Sequence, residues 1–180
     1  MQARGATEAT AMAAESEKPE FSVAPAAPED WPWMLRRYER TAWESLTPDL
    51  RRHLSPRDVR RQVSAQVEAF RSAAGDSFAA LVARNRQGKR AGFIWVQENR
   101  HGFTGEARAY VLEVYVSPTC RGKGLGKRLM DCAEEWARAR GLERIALNVA
   151  AHNTPARTLY ESLGYAVETL RMAKELAGGD

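Results

Sequence analysis

From Arg121 to Lys127 the chain sets glycines between larger residues: Arg121, Gly122, Lys123, Gly124, Leu125, Gly126, Lys127. An apolar run precedes this stretch and a helical pattern follows it. A glycine loop that ends a strand and opens a helix presents bare backbone N–H groups and the positive end of the helix dipole to one point, which suits phosphate. Arg121, Lys123 and Lys127 can place charge around such an anion. Two common phosphate loops do not fit. A Walker loop needs glycine at position 121 and a hydroxyl after Lys127, where the chain has Arg121 and Arg128. A dinucleotide fingerprint begun at Gly122 or Gly124 needs glycine where Lys127 or Leu129 stands.

Other reactive residue types are few. Cys120 precedes the loop without a histidine near it in sequence, which disfavours a nucleophilic thiol. Cys120 and Cys132 form no Cys-x-x-Cys, and His53, His101 and His152 lack ligand spacing, so neither a metal site nor a disulfide framework is expected. A reducing cytoplasm fits that usage. The net charge of +4 is modest. The arginine cluster at Arg51, Arg52, Arg57, Arg60 and Arg61 reads better as a solvated helix face than as a nucleic-acid surface. No apolar run is long enough to cross a bilayer, and the N-terminus lacks the order of a signal peptide. Neither nucleic acid nor membrane is therefore expected as a partner.

The elements around the loop follow from periodicity. Residues 1–20 are small and charged with little to bury, so a disordered tail is expected, followed by one domain over 21–180. Phe21 to Ala24 reads as a short strand, and Pro28-Glu29-Asp30 opens a helix carrying Trp33, Leu35, Tyr38 and Trp43. Ser55 caps a second helix with Pro56 in its first turn and Val59, Val63, Val67 and Phe70 on its apolar stripe. Strands are expected from Phe78 to Ala83 and from Gly92 to Gln97, joined through Asn85–Gly88. Ala109–Val116 is apolar except for Glu113, as a strand covered on both faces would be. Beyond the glycine loop, Leu125, Leu129, Cys132, Ala133 and Trp136 recur at helical spacing up to Gly141. A strand over Arg144–Val149, a helix from Thr154 with Ala156, Leu159, Tyr160 and Leu163 on one face, and an extended Tyr165–Leu176 complete an α+β domain around one sheet.

The strand VLEVYVSP, the loop RGKGLG, the helix KRLMDCAEEWARARG, the strand LERIALNVA and the segment NTPARTLYESLGY follow one another in an order that closely resembles the GNAT superfamily of N-acetyltransferases, over roughly the C-terminal half. The resemblance implies a mixed, mostly antiparallel central sheet flanked by helices, with acetyl-CoA as co-substrate and no metal. It implies that residues Arg121 to Lys127 hold the pyrophosphate, that Val114 and Val116 bond the pantetheine arm by their main chain, and that Asn153 bonds the same arm. It places Tyr160 beside the CoA sulfur, where a phenol with pKa ~10 would meet a thiolate with pKa ~8.5.

An amine nucleophile with pKa ~10 must lose a proton, and Glu113 is the candidate base. Its alternative is a strand charge paired with an arginine or facing solvent. Trp31, Trp33 and Trp43 could shape an acceptor pocket, although core packing explains them better. The acceptor is expected to be an amine of a small molecule or polypeptide. A polyamine or aminoglycoside would call for an acidic pocket that the arginine-rich helices do not obviously supply. A homodimer is left open. The rival is a GNAT-like module that binds acyl-CoA without turnover.

Overall fold

A computed structural model describes residues 19–174, without the side chains of Phe70, Ala73 and Ala74. The expected tail therefore falls outside the described residues except at Pro19 and Glu20, as does the place of Phe70 on its helix stripe. Five strands form one sheet in the order β1 (Phe21–Pro25), β2 (Phe78–Asn85), β3 (Arg90–Arg100), β4 (Ala107–Val116) and β5 (Ile145–Leu147). The first four pair antiparallel and β5 runs parallel to β4. The β2–β3 turn forms where Asn85 Oδ1 accepts from the N–H groups of Gln87 and Lys89 at 3.0 Å, an arrangement that asparagine makes locally.

Two layers of helix cover the sheet. On one face lie α1 (Trp31–Ser45) and α3 (Pro56–Ala74), with the short α2 (Pro48–Arg52) between them in sequence. A 3-10 turn, Pro28–Asp30, precedes α1, so the α-helix starts later than the Pro28 opening suggests. At the start of α3 the Ser55 hydroxyl accepts from Asp58 N–H and the Asp58 carboxylate accepts from Ser55 N–H, a reciprocal cap. Helix α2 was not expected, although Thr47, whose side chain accepts from Leu50 N–H, and Pro48 supply its start signal. On the other face lie α4 (Leu125–Arg138) and α5 (Thr154–Ser162), which bury Leu125, Leu129, Met130, Ala133 and Tyr160 against the sheet.

Two expectations change near the C-terminus. The strand foreseen over Arg144–Val149 is only Ile145–Leu147, and Tyr165–Lys174 adds no strand to the sheet. Glu168 ion-pairs with Arg144 and Arg108, which tethers that segment near the β4–β5 edge. A polar group hidden from the pattern also appears. Asp30 is 1% exposed and receives Arg84 and Arg90 at 2.7 and 2.6 Å. Burial alone would raise its pKa, but hydrogen bonds from Arg90, the Ala27 N–H and Arg84, with the charge of Arg84, hold it below the usual carboxylate value.

Candidate active site

The site is made where β4 stops pairing with β5. The parallel ladder runs Ala109–Ile145, Tyr110–Ala146 and Val111–Leu147 and ends there, so Leu112 to Val116 continue along β3 without β5 beside them. Val114 and Val116 pair with Ile94 and Gly92 on the β3 side. In the β3–β4 ladder, Trp95 faces Glu113 but Val96 faces Val111, which leaves Leu112 as an extra residue. Such a bulge re-aims side chains. Leu112 joins Trp95 in the aromatic cluster under α1, while Glu113 stays opposite Trp95.

Among the described residues no arginine pairs with Glu113, whose side chain is half-buried in the sheet rather than standing free in solvent. It keeps some accessible surface, yet Oε1 is enclosed and has no hydrogen-bond partner among the described residues. Burial pushes its pKa up to about 8, and a hydrogen bond with the Thr41 side chain pulls the other way. Its charge is felt by two phenols. Tyr160, 8% exposed on α5, is raised to about 12 by burial and then by Glu113. Tyr38 on α1 is raised by burial, then by Glu113 and Tyr110. The two residues singled out for chemistry are thus within electrostatic reach of each other. The fold adds Tyr38 and Thr41, which sequence reasoning passed over in this role. Their spacing of three on α1, following buried Met34 by four, was a usable signal for one inward face.

The glycine loop lies at the C-terminal end of β4. Gly122 and Gly124 have φ of +72° and +76° with nothing within 4 Å of an added Cβ, so these two glycines serve backbone conformation and leave space above the loop. Gly126 differs, because its Cβ would sit 3.0 Å from Leu159 Cδ2. It lets α4 approach α5. Gly124 begins α4 without a side-chain cap, and Arg128 N–H makes the first helical bond back to Gly124. The N–H groups of Leu125, Gly126 and Lys127 are therefore first-turn donors available to an anion. Around them, Lys123 Nζ is 2.8 Å from Glu20, Lys127 Nζ is 3.2 Å from Asp131, and Arg121 Nε lies 3.4 Å from Val116 O. Asn153 caps α5 through Oδ1 to Ala156 N–H at 3.3 Å, which leaves its amide nitrogen for other contacts. His152 bonds Glu44 O at 3.1 Å and so serves as an ordinary loop histidine.

The sequence profile of the "Acetyltransferase (GNAT) family" matches residues 29–165. The chain belongs to that family. Members generally use acetyl-CoA, and the described loop, with open space over its glycines and free first-turn N–H groups, fits a pyrophosphate. Among curated relatives, the chain is 40% identical over 92 residues to YdgE of Bacillus subtilis, an uncharacterized N-acetyltransferase. It is 36% identical over 127 residues to a mycothiol acetyltransferase of Saccharomonospora viridis. These matches take in 51% and 69% of this chain, and 57% and 41% of the relatives, so the chain spans about half their length. Among solved structures, a candidate acetyl transferase of Pyrococcus furiosus shares 25% identity at a TM-score of 0.74, covering 87% of this chain and 100% of that one. Glucosamine-6-phosphate N-acetyltransferase of Arabidopsis thaliana, at 18% identity, a TM-score of 0.57 and coverage of 88% and 100%, shares the GNAT fold.

Proposed function

We propose that this GNAT chain transfers an acetyl group from acetyl-CoA directly to a primary amine, with Glu113 as base and Tyr160 at the leaving sulfur. The observation that carries this reading is the enclosed, unpartnered Oε1 of Glu113 at the point where β4 parts from β5. A buried carboxylate without a full set of partners costs stability, and such costs gather at functional sites. A module that only bound acyl-CoA would have no use for it.

Acetyl-CoA supplies the activated acetyl group as a thioester. The loop from Arg121 to Lys127 cradles its pyrophosphate, and Val114, Val116 and Asn153 align its arm. Glu113, with a pKa of about 8, is far better matched to an ammonium near pKa ~10 than an ordinary carboxylate is, and it takes the proton that frees the nitrogen lone pair. Tyr160, held up to about 12, keeps its proton against a thiolate of pKa ~8.5. Its role is hydrogen-bond donation to the sulfur as the C–S bond breaks, since a phenol held this high gives up its proton uphill. The proton shed by the nitrogen as the amide forms ends on that sulfur.

A small-molecule or peptide amine, a cytoplasmic setting and a homodimer belong to the same proposal. Free thiols at Cys120 and Cys132 support the second, and exposed Leu170 and Met172 support the third. The test is CoA thiol release over an amine panel, with thermal unfolding in acetyl-CoA alongside. Amine-dependent thiol release that Glu113→Gln abolishes supports the reading. A stabilising shift by acetyl-CoA without release for any amine replaces it with the binding module.

A further inference from the structure

We propose that the acceptor is an arylalkylamine whose ring occupies an aromatic pocket between α1, α3 and the sheet. This rests on the acetyltransferase reading and narrows it. The pocket has a volume of ≈ 210 Å³, and its walls are Trp31, Tyr38, Val67, Phe78, Trp95 and Leu112. An apolar cavity of about 150 Å³ takes benzene, so this one has room for a single ring or a fused pair. Trp31 stacks on Trp95 at 5.6 Å and Tyr38 meets Trp95 edge-on at 5.2 Å, so the walls present both ring faces and ring edges. A planar ligand ring is recognised by both.

Three of the pocket's walls adjoin the proposed reaction centre. Trp95 lies directly opposite Glu113 in the ladder, Leu112 is the bulge residue beside it, and Tyr38 responds to its charge. On this proposal the ring sits among these walls, and a short alkyl arm carries the amine past Leu112 toward Glu113. At the other end sits Arg71, its guanidinium 4.2 Å over the Trp31 ring. It is the one charged side chain among the described lining residues. A polycation would meet Arg71 and no carboxylate there, whereas an acidic substituent on the ring end remote from the amine would pair with it. The competing contact of Arg71 with Glu68 is 3.9 Å long and exposed, and such pairs contribute little.

The experiment measures thiol release with 2-phenylethylamine, 4-(2-aminoethyl)benzoic acid, spermidine and glucosamine. Alongside it, intrinsic tryptophan fluorescence follows binding of 2-phenylethylamine to the full chain without acetyl-CoA. The proposal expects kcat/KM for both aryl amines to exceed that for spermidine and glucosamine by about tenfold or more. It expects Val67→Phe, which fills the pocket, to raise KM for 2-phenylethylamine by about tenfold while the Kd for acetyl-CoA stays unchanged. Arg71→Gln should lower kcat/KM for the carboxylated amine about tenfold more than for the neutral one, removing the preference between them. That variant keeps a good helix former on the exposed end of α3 and so decides the matter if Val67→Phe does not fold.

Faster turnover of spermidine or glucosamine than of either aryl amine overturns the proposal and leaves the acetyltransferase reading intact. If no amine is turned over and acetyl-CoA does not bind, that reading fails, and the fluorescence titration alone judges the pocket. Saturable quenching lost in Val67→Phe supports a ring site, and its absence overturns one.

Discussion

Under α4 and α5 the sheet meets Leu125, Leu129, Met130 and Ala133, and the fit is tight enough that a Cβ on Gly92 would lie 2.5 Å from Tyr115 O and 3.2 Å from Leu129 Cδ1. Under α1 and α3 the same sheet meets Met34, Phe93 and Trp95, with Trp31, Trp33 and Tyr38 around them, and a pocket is left between the rings. Protein interiors close-pack, so a ring-sized space left among these aromatic side chains sets this face apart from the other. In the proposed reading the closed face supports the loop that cradles the cofactor, and the open face shapes the acceptor's pocket. Glu113 stands at the seam, where its charge reaches Tyr38 on the open side and Tyr160 on the closed side.

The seam should be the most sensitive point. Glu113→Gln is expected to lower kcat/KM by about 10²- to 10⁴-fold and to remove a rise in rate with pH centred near the value of about 8, read from pH profiles of thiol release. The same substitution should act oppositely on stability. The folded-state pKa lies above that of the unfolded chain, so native Glu113 keeps a proton that the unfolded chain has released. Wild-type stability therefore falls as pH rises from the ordinary carboxylate range toward about 8. Thermal unfolding at pH 9 should show the Gln variant more stable than wild type, with the gap closing near pH 5. A variant that lost activity and stability together at pH 9 would break the view of Glu113 as a functional cost.

On the closed side, Gly124→Val places a β-branched residue at φ +76°, which costs about 1–3 kcal/mol unless the loop rearranges. Rearrangement would displace the first-turn donors, so acetyl-CoA should bind about 10- to 100-fold more weakly in calorimetry, with an intact unfolding transition. Tyr160→Phe removes one hydrogen bond to a charged leaving group and should lower kcat about tenfold, with acetyl-CoA affinity unchanged. Equal losses in both would assign Tyr160 to packing. The smallest effect on acetyl transfer is expected at the root of the open face. Asp30→Asn leaves Arg84 and Arg90 facing a neutral amide; because their side chains are 33% and 31% exposed, the cost should be about 2 kcal/mol, below that of a fully buried pair. Urea unfolding measures it, and acetyl-CoA affinity should not move.

What could be read in advance follows the same division. The loop, Tyr160 and the Ser55 cap were legible because each depends on neighbours a few residues away: a glycine where φ is positive, a helix stripe, a hydroxyl before Pro56. The Arg144–Val149 strand was overdrawn because an apolar run does not itself report where its ladder with the neighbouring strand ends, here at Val111 and Leu147. The tryptophans were read as core, and that holds for Trp33, which packs on Phe93 and Tyr115, but Trp31 also lines the pocket. The Asp30 network was invisible because Arg84 and Arg90 reach it from two strands far along the chain.

By itself the sequence determined the family, the order of the elements and the loop suited to a pyrophosphate, since helix period, strand alternation and glycine geometry are local properties of the chain. Tertiary structure alone decided that Glu113 keeps an enclosed Oε1, that its charge reaches the Tyr160 phenol, and that the α1–α3 face keeps a ring-sized pocket. Burial and the electrostatics it creates depend on which distant segments come together, and only the folded chain sets that.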